Sequence, residues 1–207
     1  LIFRAISPLI LISIGAGLTI PFVNLFFNSI FNLSSSDFSL LGSFTSLLVF
    51  IFSLLVPTLR KKYGYWATIV LNQSLAIIFL IIMATTELYA ASSYAIIIAI
   101  SAYILRQPLM HMAHPASNEL MMNYVGKKNQ ELISALSSSL WSASWFISAK
   151  IFEWLRILEF QYFEIFLITA ALYIIGVVLF GLLISQYEKN NRKSNQILPI
   201  ADELSIE

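Results

Sequence analysis

Residues 163–184 read Phe163-Glu-Ile-Phe-Leu-Ile-Thr-Ala-Ala-Leu-Tyr-Ile-Ile-Gly-Val-Val-Leu-Phe-Gly-Leu-Leu-Ile184, a run with one charge, Glu164, at its very start. A hydrocarbon core about 30 Å thick takes about 20 such residues as a helix. Lipid offers no partner to a free backbone amide, so a spanning segment is either a helix or part of a closed barrel. Barrel strands alternate apolar and polar side chains over about ten residues, and this run does not alternate. Working outward from it, five further runs of the same kind cover residues 6–30, 38–59, 66–85, 93–122 and 132–152. The 207-residue chain is 58% hydrophobic and 11% charged, against about 25% charged in a soluble domain. It has too few polar atoms to cover a surface facing water. The fold class expected is all-α, a polytopic membrane protein of six transmembrane helices.

Short connections separate the runs at residues 34–37, 60–64, 87–92, 126–130 and 154–161. Residues 1–187 are therefore expected to form one six-helix bundle. After Tyr187 the chain turns polar, and residues 188–207 read as a solvated, disordered tail. Lysine and arginine set the orientation, because short cytoplasmic loops accumulate them. Arg4, Arg60, Lys61, Lys62, Lys127, Lys128, Lys189, Arg192 and Lys193 fall on one side, nine of the twelve basic residues. The opposite loops hold only Arg156, beside Asp37, Glu87, Glu153, Glu159 and Glu164. Both ends of the chain are thus expected in the cytoplasm, with a multi-pass location in the cell membrane. The sequence starts at Leu1 and is expected to be a piece of a longer protein.

Several classes are disfavoured by composition. The chain has no cysteine, so it offers neither thiolate chemistry nor a cysteine metal site. A net charge of +1 without a basic run gives nucleic acid no purchase. His111 and His114 stand three residues apart with no carboxylate at ligand spacing, unlike the His-Glu-x-x-His pattern of a metal hydrolase. Neither a metal nor a cofactor is expected.

The informative residues are those that sit badly in lipid, since polar groups inside a span face protein or water and mark function. The run 93–122 holds Arg106, about a dozen residues in, with Gln107, Pro108, His111, His114, Pro115 and Asn118 behind it. A guanidinium at that depth keeps its charge; it either binds a polar or anionic substrate or pins freed carbonyls. His111, His114 and Asn118 share one helical face and are candidates for a proton or polar relay, with interhelical hydrogen bonding as the plainer reading. The two prolines favour kinks. Residues 6–30 carry Gly15 and Gly17, which allow close helix approach, and Asn24 and Asn28 on one face. In 132–152 a stripe of Ser134, Ser138, Trp141, Trp145 and Ser148 forms a packing seam or a pocket wall. The runs 66–85 and 163–184 look nearly featureless, apart from Asn72 and Gln73.

Three stretches stand together in this chain: Gly15-Ala-Gly17-Leu-Thr-Ile-Pro21-Phe-Val-Asn24, the basic loop Pro57-Thr-Leu-Arg60-Lys61-Lys62-Tyr-Gly64, and Arg106-Gln-Pro-Leu-Met-His111-Met-Ala-His114-Pro115 leading to Gly126-Lys127-Lys128. With Leu136 to Trp145 behind them, they resemble the C-terminal half of a major facilitator superfamily transporter. The loop departs from the family pattern in lacking its acidic residue and second arginine pair. The resemblance implies that this chain supplies the last six helices, paired with an N-terminal six-helix half of the same protein. It implies secondary transport of a small molecule by alternating access, with Asn24, Arg106, Trp141 and Trp145 as substrate-binding residues and protons as a coupling ion. It assigns Arg60, Lys61, Lys62 and Gly64 to a gating loop. It also implies that the runs 66–85 and 163–184 lie outside the cavity. The aromatic, weakly polar lining suits efflux of amphipathic compounds. The alternatives are a non-transporting assembly or receptor-like helix bundle and, further off, an intramembrane enzyme; an enzyme is not expected.

Overall fold

The computed structural model describes the backbone of residues 1–204 and the side chains of residues 1–192. It holds eight α-helices and, among the described residues, no strand. They are α1 (Ile2–Thr19), α2 (Val23–Phe31), α3 (Ser35–Ser53), α4 (Val56–Tyr65), α5 (Asn72–Thr85), α6 (Ala95–Val125), α7 (Gln130–Ile157) and α8 (Tyr162–Leu204). The last helix runs on past Tyr187, with no glycine or proline between Gly181 and Pro199 to end it. The disorder expected of residues 205–207 lies outside the described residues.

Among the described residues, five stretches are long and apolar enough to cross a membrane: Ile2–Phe31, Ser35–Ser53, Val56–Tyr89, Ala95–Val125 and Tyr162–Arg192. The chain is therefore an all-helical protein of membrane type. Helix α7, which carries the expected run 132–152, has the length, at 28 residues. It falls short in apolarity, because seven serines from Ser134 to Ser148 dilute it and Glu131, Lys150, Glu153 and Arg156 crowd its ends.

Local chemistry explains the breaks. Pro21 interrupts the first stretch with a short 3₁₀ turn, Ile20–Phe22, and α2 then ends on Asn32 in the left-handed conformation (φ 52°). Ser34 caps α3: its hydroxyl accepts the Asp37 amide at 3.1 Å and donates to the Asp37 carboxylate at 2.7 Å. The run expected over 38–59 stops at Ser53, and the chain restarts as α4 with Pro57 in its first turn, where a missing amide proton costs nothing. The sharp turn falls at Gly64 (φ 74°), and Gly126 (φ 78°) makes the equivalent turn after α6; both angles suit a residue without Cβ. A π-helical stretch, Trp66–Leu71, follows Gly64 and feeds α5. Helix α6 stays continuous through Pro108 and Pro115.

Packing follows a definite order. Helix α1 packs against α8 on one side and α7 on the other; α5 lies between α8 and α6; α3 lies against α6. Helices α1, α8, α5 and α6 thus make a ring, with α7 flanking α1 and α3 flanking α6. The order is unchanged when the first three membrane runs are exchanged with the last three: α1 trades places with α6, α3 with α7, and α5 with α8. Close approaches hold the ring. A Cβ on Gly17 would stand 2.6 Å from the Ser148 Cβ, and one on Gly176 would stand 2.8 Å from Ile12 Cγ1. The Ser148 hydroxyl donates to the Ile14 carbonyl at 2.8 Å, and Thr19 bonds Thr169 at 3.0 Å. By contrast α3 buries only Thr45, leaving Leu40, Phe44, Leu47 and Phe50 exposed.

At the Glu87 end, aromatic rings close the bundle. Phe26 sits edge-on to Phe27 and Tyr162, Phe27 to Tyr103, and Phe22 stacks on Phe152 at 3.5 Å. Glu87 accepts the Phe163 amide at 2.6 Å and so caps the first turn of α8 from another loop. An anion at a helix N-terminus satisfies a free amide and the helix dipole together. Glu87→Ala is expected to destabilise the protein by about 1–2 kcal/mol in unfolding titrations, and Glu87→Gln, which keeps the acceptor, by less.

Candidate functional site

Arg106 is the largest side chain that the bundle buries completely, at 1% exposure. It stands about a dozen residues into α6 and points into the ring, where one Nη2–H donates to the Tyr173 hydroxyl of α8 at a long 3.4 Å. The guanidinium carbon lies 6.0 Å from the centre of the same tyrosine ring. Its Nε and Nη1 have no hydrogen-bond partner among the described residues. The ion pairs among the described residues lie elsewhere, Arg60 with Glu119 and Lys150 with Glu153.

The guanidinium faces a cavity of about 240 Å³. Leu9, Ile12, Ala16 and Ile20 of α1 and the turn after it make one wall, while Arg106, Gln107, Met110, His111, His114, Ser117 and Asn118 of α6 make the opposite one. Trp141 of α7, Gln73 of α5 and Tyr173 and Phe180 of α8 complete it. A second cavity of about 350 Å³ shares Leu9, His114, Asn118 and Trp141 with the first and is otherwise lined by Ser137, Ser138 and Ser142. A third, of about 80 Å³, shares Asn118, Ser137 and Ser138 with the second and adds Ser134. The three form a track between α6 and α7 that leads from Arg106 toward the Glu119 end. Along it Asn118 approaches His114 at 3.4 Å, and the His114 ring meets Trp141 edge-on at 5.8 Å.

Of the residues singled out from the sequence, Arg106, His111, His114, Asn118 and Trp141 come together at this cavity. Asn24 does not line it; its Oδ1 is buried in α2 without a partner. Trp145 lies beside Trp141, centroids 6.3 Å apart, and is half-exposed outside the main cavity. The serine stripe of α7 serves both roles left open for it: Ser134 and Ser138 line the track, and Ser148 is a packing seam.

Three more residues belong here: Gln73, noted in the sequence without a role, and Ser117 and Tyr173, which the sequence reading passed over. Gln73, Ser117 and Tyr173 face the cavity, so α5 and α8 contribute walls where the resemblance implied they would stand outside. The signal was present: Gln73 and Tyr173 are isolated polar groups in otherwise apolar runs, and such a group in a span needs a polar neighbour.

At the basic end, the loop residues divide. The Arg60 guanidinium bridges to the Glu119 carboxylate at 2.6 Å and donates to the Tyr65 hydroxyl at 2.6 Å. Asn123 donates to the same hydroxyl at 3.0 Å, so the turn at Gly64 is clasped to the end of α6. Lys61 and Lys62 are exposed. Among the described residues no group of three or more metal-capable side chains occurs. No family model matches the chain, and no curated protein matches it.

Proposed function

We propose that the chain is one six-span half of a secondary transporter of the major facilitator type, with both ends cytoplasmic, and that it moves a small molecule through the Arg106 cavity by alternating access. The observation that carries this reading is the exchange symmetry of the helix order, in which the first three runs and the last three occupy equivalent places. Opposed three-helix repeats with a midplane site between them are the architecture of secondary transporters, and the cavity lies between α1 and α6, the leading helices of the two triplets. The track toward the Glu119 end and the aromatic closure at the other end fit a site open to one side at a time. In this reading α7 also spans, as the fifth of six, despite its serines, because its polar stripe faces the track. The exposed α3 and α7 faces receive the other six-helix half.

The test uses single cysteines in the whole protein cleared of any others, to which this chain contributes none. Ser36→Cys and Lys128→Cys should react with an impermeant thiol reagent from opposite sides of sealed vesicles. Gln107→Cys, in the cavity wall, should become reactive from each side in turn as a transmembrane gradient is imposed or collapsed. Reaction from both sides at once would identify a channel, and reaction unmoved by any gradient would identify a non-transporting bundle; either result would overturn the proposal.

A further inference from the structure

Three deeply buried side chains present unpartnered hydrogen-bonding atoms and line the same cavity. They are Arg106 with Nε and Nη1, Gln73 with Oε1 and Ser117 with Oγ. Their exposures are 1%, 4% and 4%, so bulk water does not satisfy them. Leaving a neutral polar group buried and unpaired costs about 1–3 kcal/mol, and a charged one more. These groups come from two helices, Arg106 and Ser117 from α6 and Gln73 from α5, so they are a converging set and not a single awkward residue.

The chemistry of the set defines its complement. A guanidinium only donates, in a planar fork that matches a carboxylate. Its one observed partner is a neutral phenol at 3.4 Å. The cavity therefore carries a positive charge that no side chain among the described residues cancels. Gln73 Oε1 is an acceptor and calls for a donor on the ligand, while the Ser117 hydroxyl can serve either role. The remaining wall is apolar and aromatic, with Ile12, Met110, Phe180 and Trp141. A multiply charged ion would be poorly solvated against such a surface.

We infer that the Arg106 cavity binds a small organic monocarboxylate with an apolar body and one hydrogen-bond donor, the carboxylate on Arg106 and the donor toward Gln73. This names the substrate class of the transporter proposed above and rests on that reading for its use, although the binding itself does not require transport.

Equilibrium dialysis of the full-length protein in detergent tests it, with radiolabelled 4-hydroxybenzoate and its uncharged, shape-matched amide, 4-hydroxybenzamide, as probes. The wild type should hold the carboxylate at least about ten-fold more tightly than the amide. Arg106→Gln should bring the two within about two-fold of each other while still binding the amide, which shows that the cavity has formed. Gln73→Leu should weaken 4-hydroxybenzoate but leave benzoate, which has no hydroxyl donor, nearly unchanged. Equal binding of acid and amide by the wild type, or no saturable binding of the acid at millimolar concentration, would overturn the assignment without recourse to any variant. The thiol-accessibility experiment decides transport separately: anion binding without exchange of sidedness keeps the site and discards the transporter, and exchange without anion preference does the reverse.

Discussion

Arg106→Met is expected to raise the thermal midpoint of the protein in detergent and to abolish flux. The guanidinium is fully buried, bonds only a tyrosine hydroxyl at 3.4 Å, and leaves Nε and Nη1 unpaired. An arginine at the centre of a span costs roughly 2.5–3.5 kcal/mol on insertion scales. Replacing a buried ion pair by apolar side chains of similar volume is often neutral or stabilising by about 1–4 kcal/mol, and a charge with no ion-pair partner has less attraction to lose. Methionine fills the space flexibly, and the cost of leaving the Tyr173 hydroxyl unpaired, about 1 kcal/mol, takes back only part of the gain. A gain of about 1–3 kcal/mol is therefore expected in unfolding measurements, with flux reduced by about 100-fold or more, the loss of one charged contact to substrate. A residue kept at the expense of stability is kept for binding. A fall in stability would instead assign Arg106 to holding the helices together.

Gly17→Val is expected to disrupt the contact between α1 and α7 more than any other single change. A Cβ at this position would already stand 2.6 Å from Ser148 Cβ, 2.7 Å from its hydroxyl and 3.2 Å from the Ser144 carbonyl. Overpacking of a tight contact costs about 1–3 kcal/mol and occasionally more, and valine adds two methyls to the clash. The stiff β-branched side chain has little rotamer freedom with which to escape. The midpoint of unfolding should drop by about 3 kcal/mol or more in equivalent stability. Ser148→Gly in the same chain removes the opposing Cβ and hydroxyl and should recover at least about half of that. It cannot recover all, because the hydroxyl's bond to the Ile14 carbonyl is lost with it. Failure of the second substitution to rescue would show that the two helices do not meet there.

The parts of this structure that could be read from the sequence are those fixed by solvent. Long apolar runs in a chain without enough charge must be helices, and the helices lie where the runs do. Arg106, His111, His114 and Asn118 were legible because a polar side chain in a span has few places to go, and all four line one cavity. The limits come from contacts across the bundle. Gln73 and Tyr173 lie in runs that otherwise look like lipid-facing supports, and only the placement of α5 and α8 in the ring turns them inward. Asn24 has the composition expected of a binding residue but follows the break at Pro21, which sets α2 apart from α1. The π-helical stretch before α5 left no mark in the composition, because it rearranges hydrogen bonds without demanding a particular residue. In α7, alternating serines and tryptophans made the run readable as a span by its length, while the same serines keep it more polar than its neighbours.

The two left-handed glycine turns have a further consequence. Gly64 and Gly126 turn the chain at positive φ, so Lys61 and Lys62 before the first and the exposed Lys127 and Lys128 after the second stand close to the helix ends. In the proposed arrangement these four ammonium groups rest at the level of the phospholipid headgroups. Each such group near an anionic leaflet contributes about 1 kcal/mol of attraction. The protein would then be moored to phosphatidylserine- or phosphatidylglycerol-rich bilayers at its two glycine turns, and its behaviour in a zwitterionic detergent would understate how firmly those turns are held in a membrane.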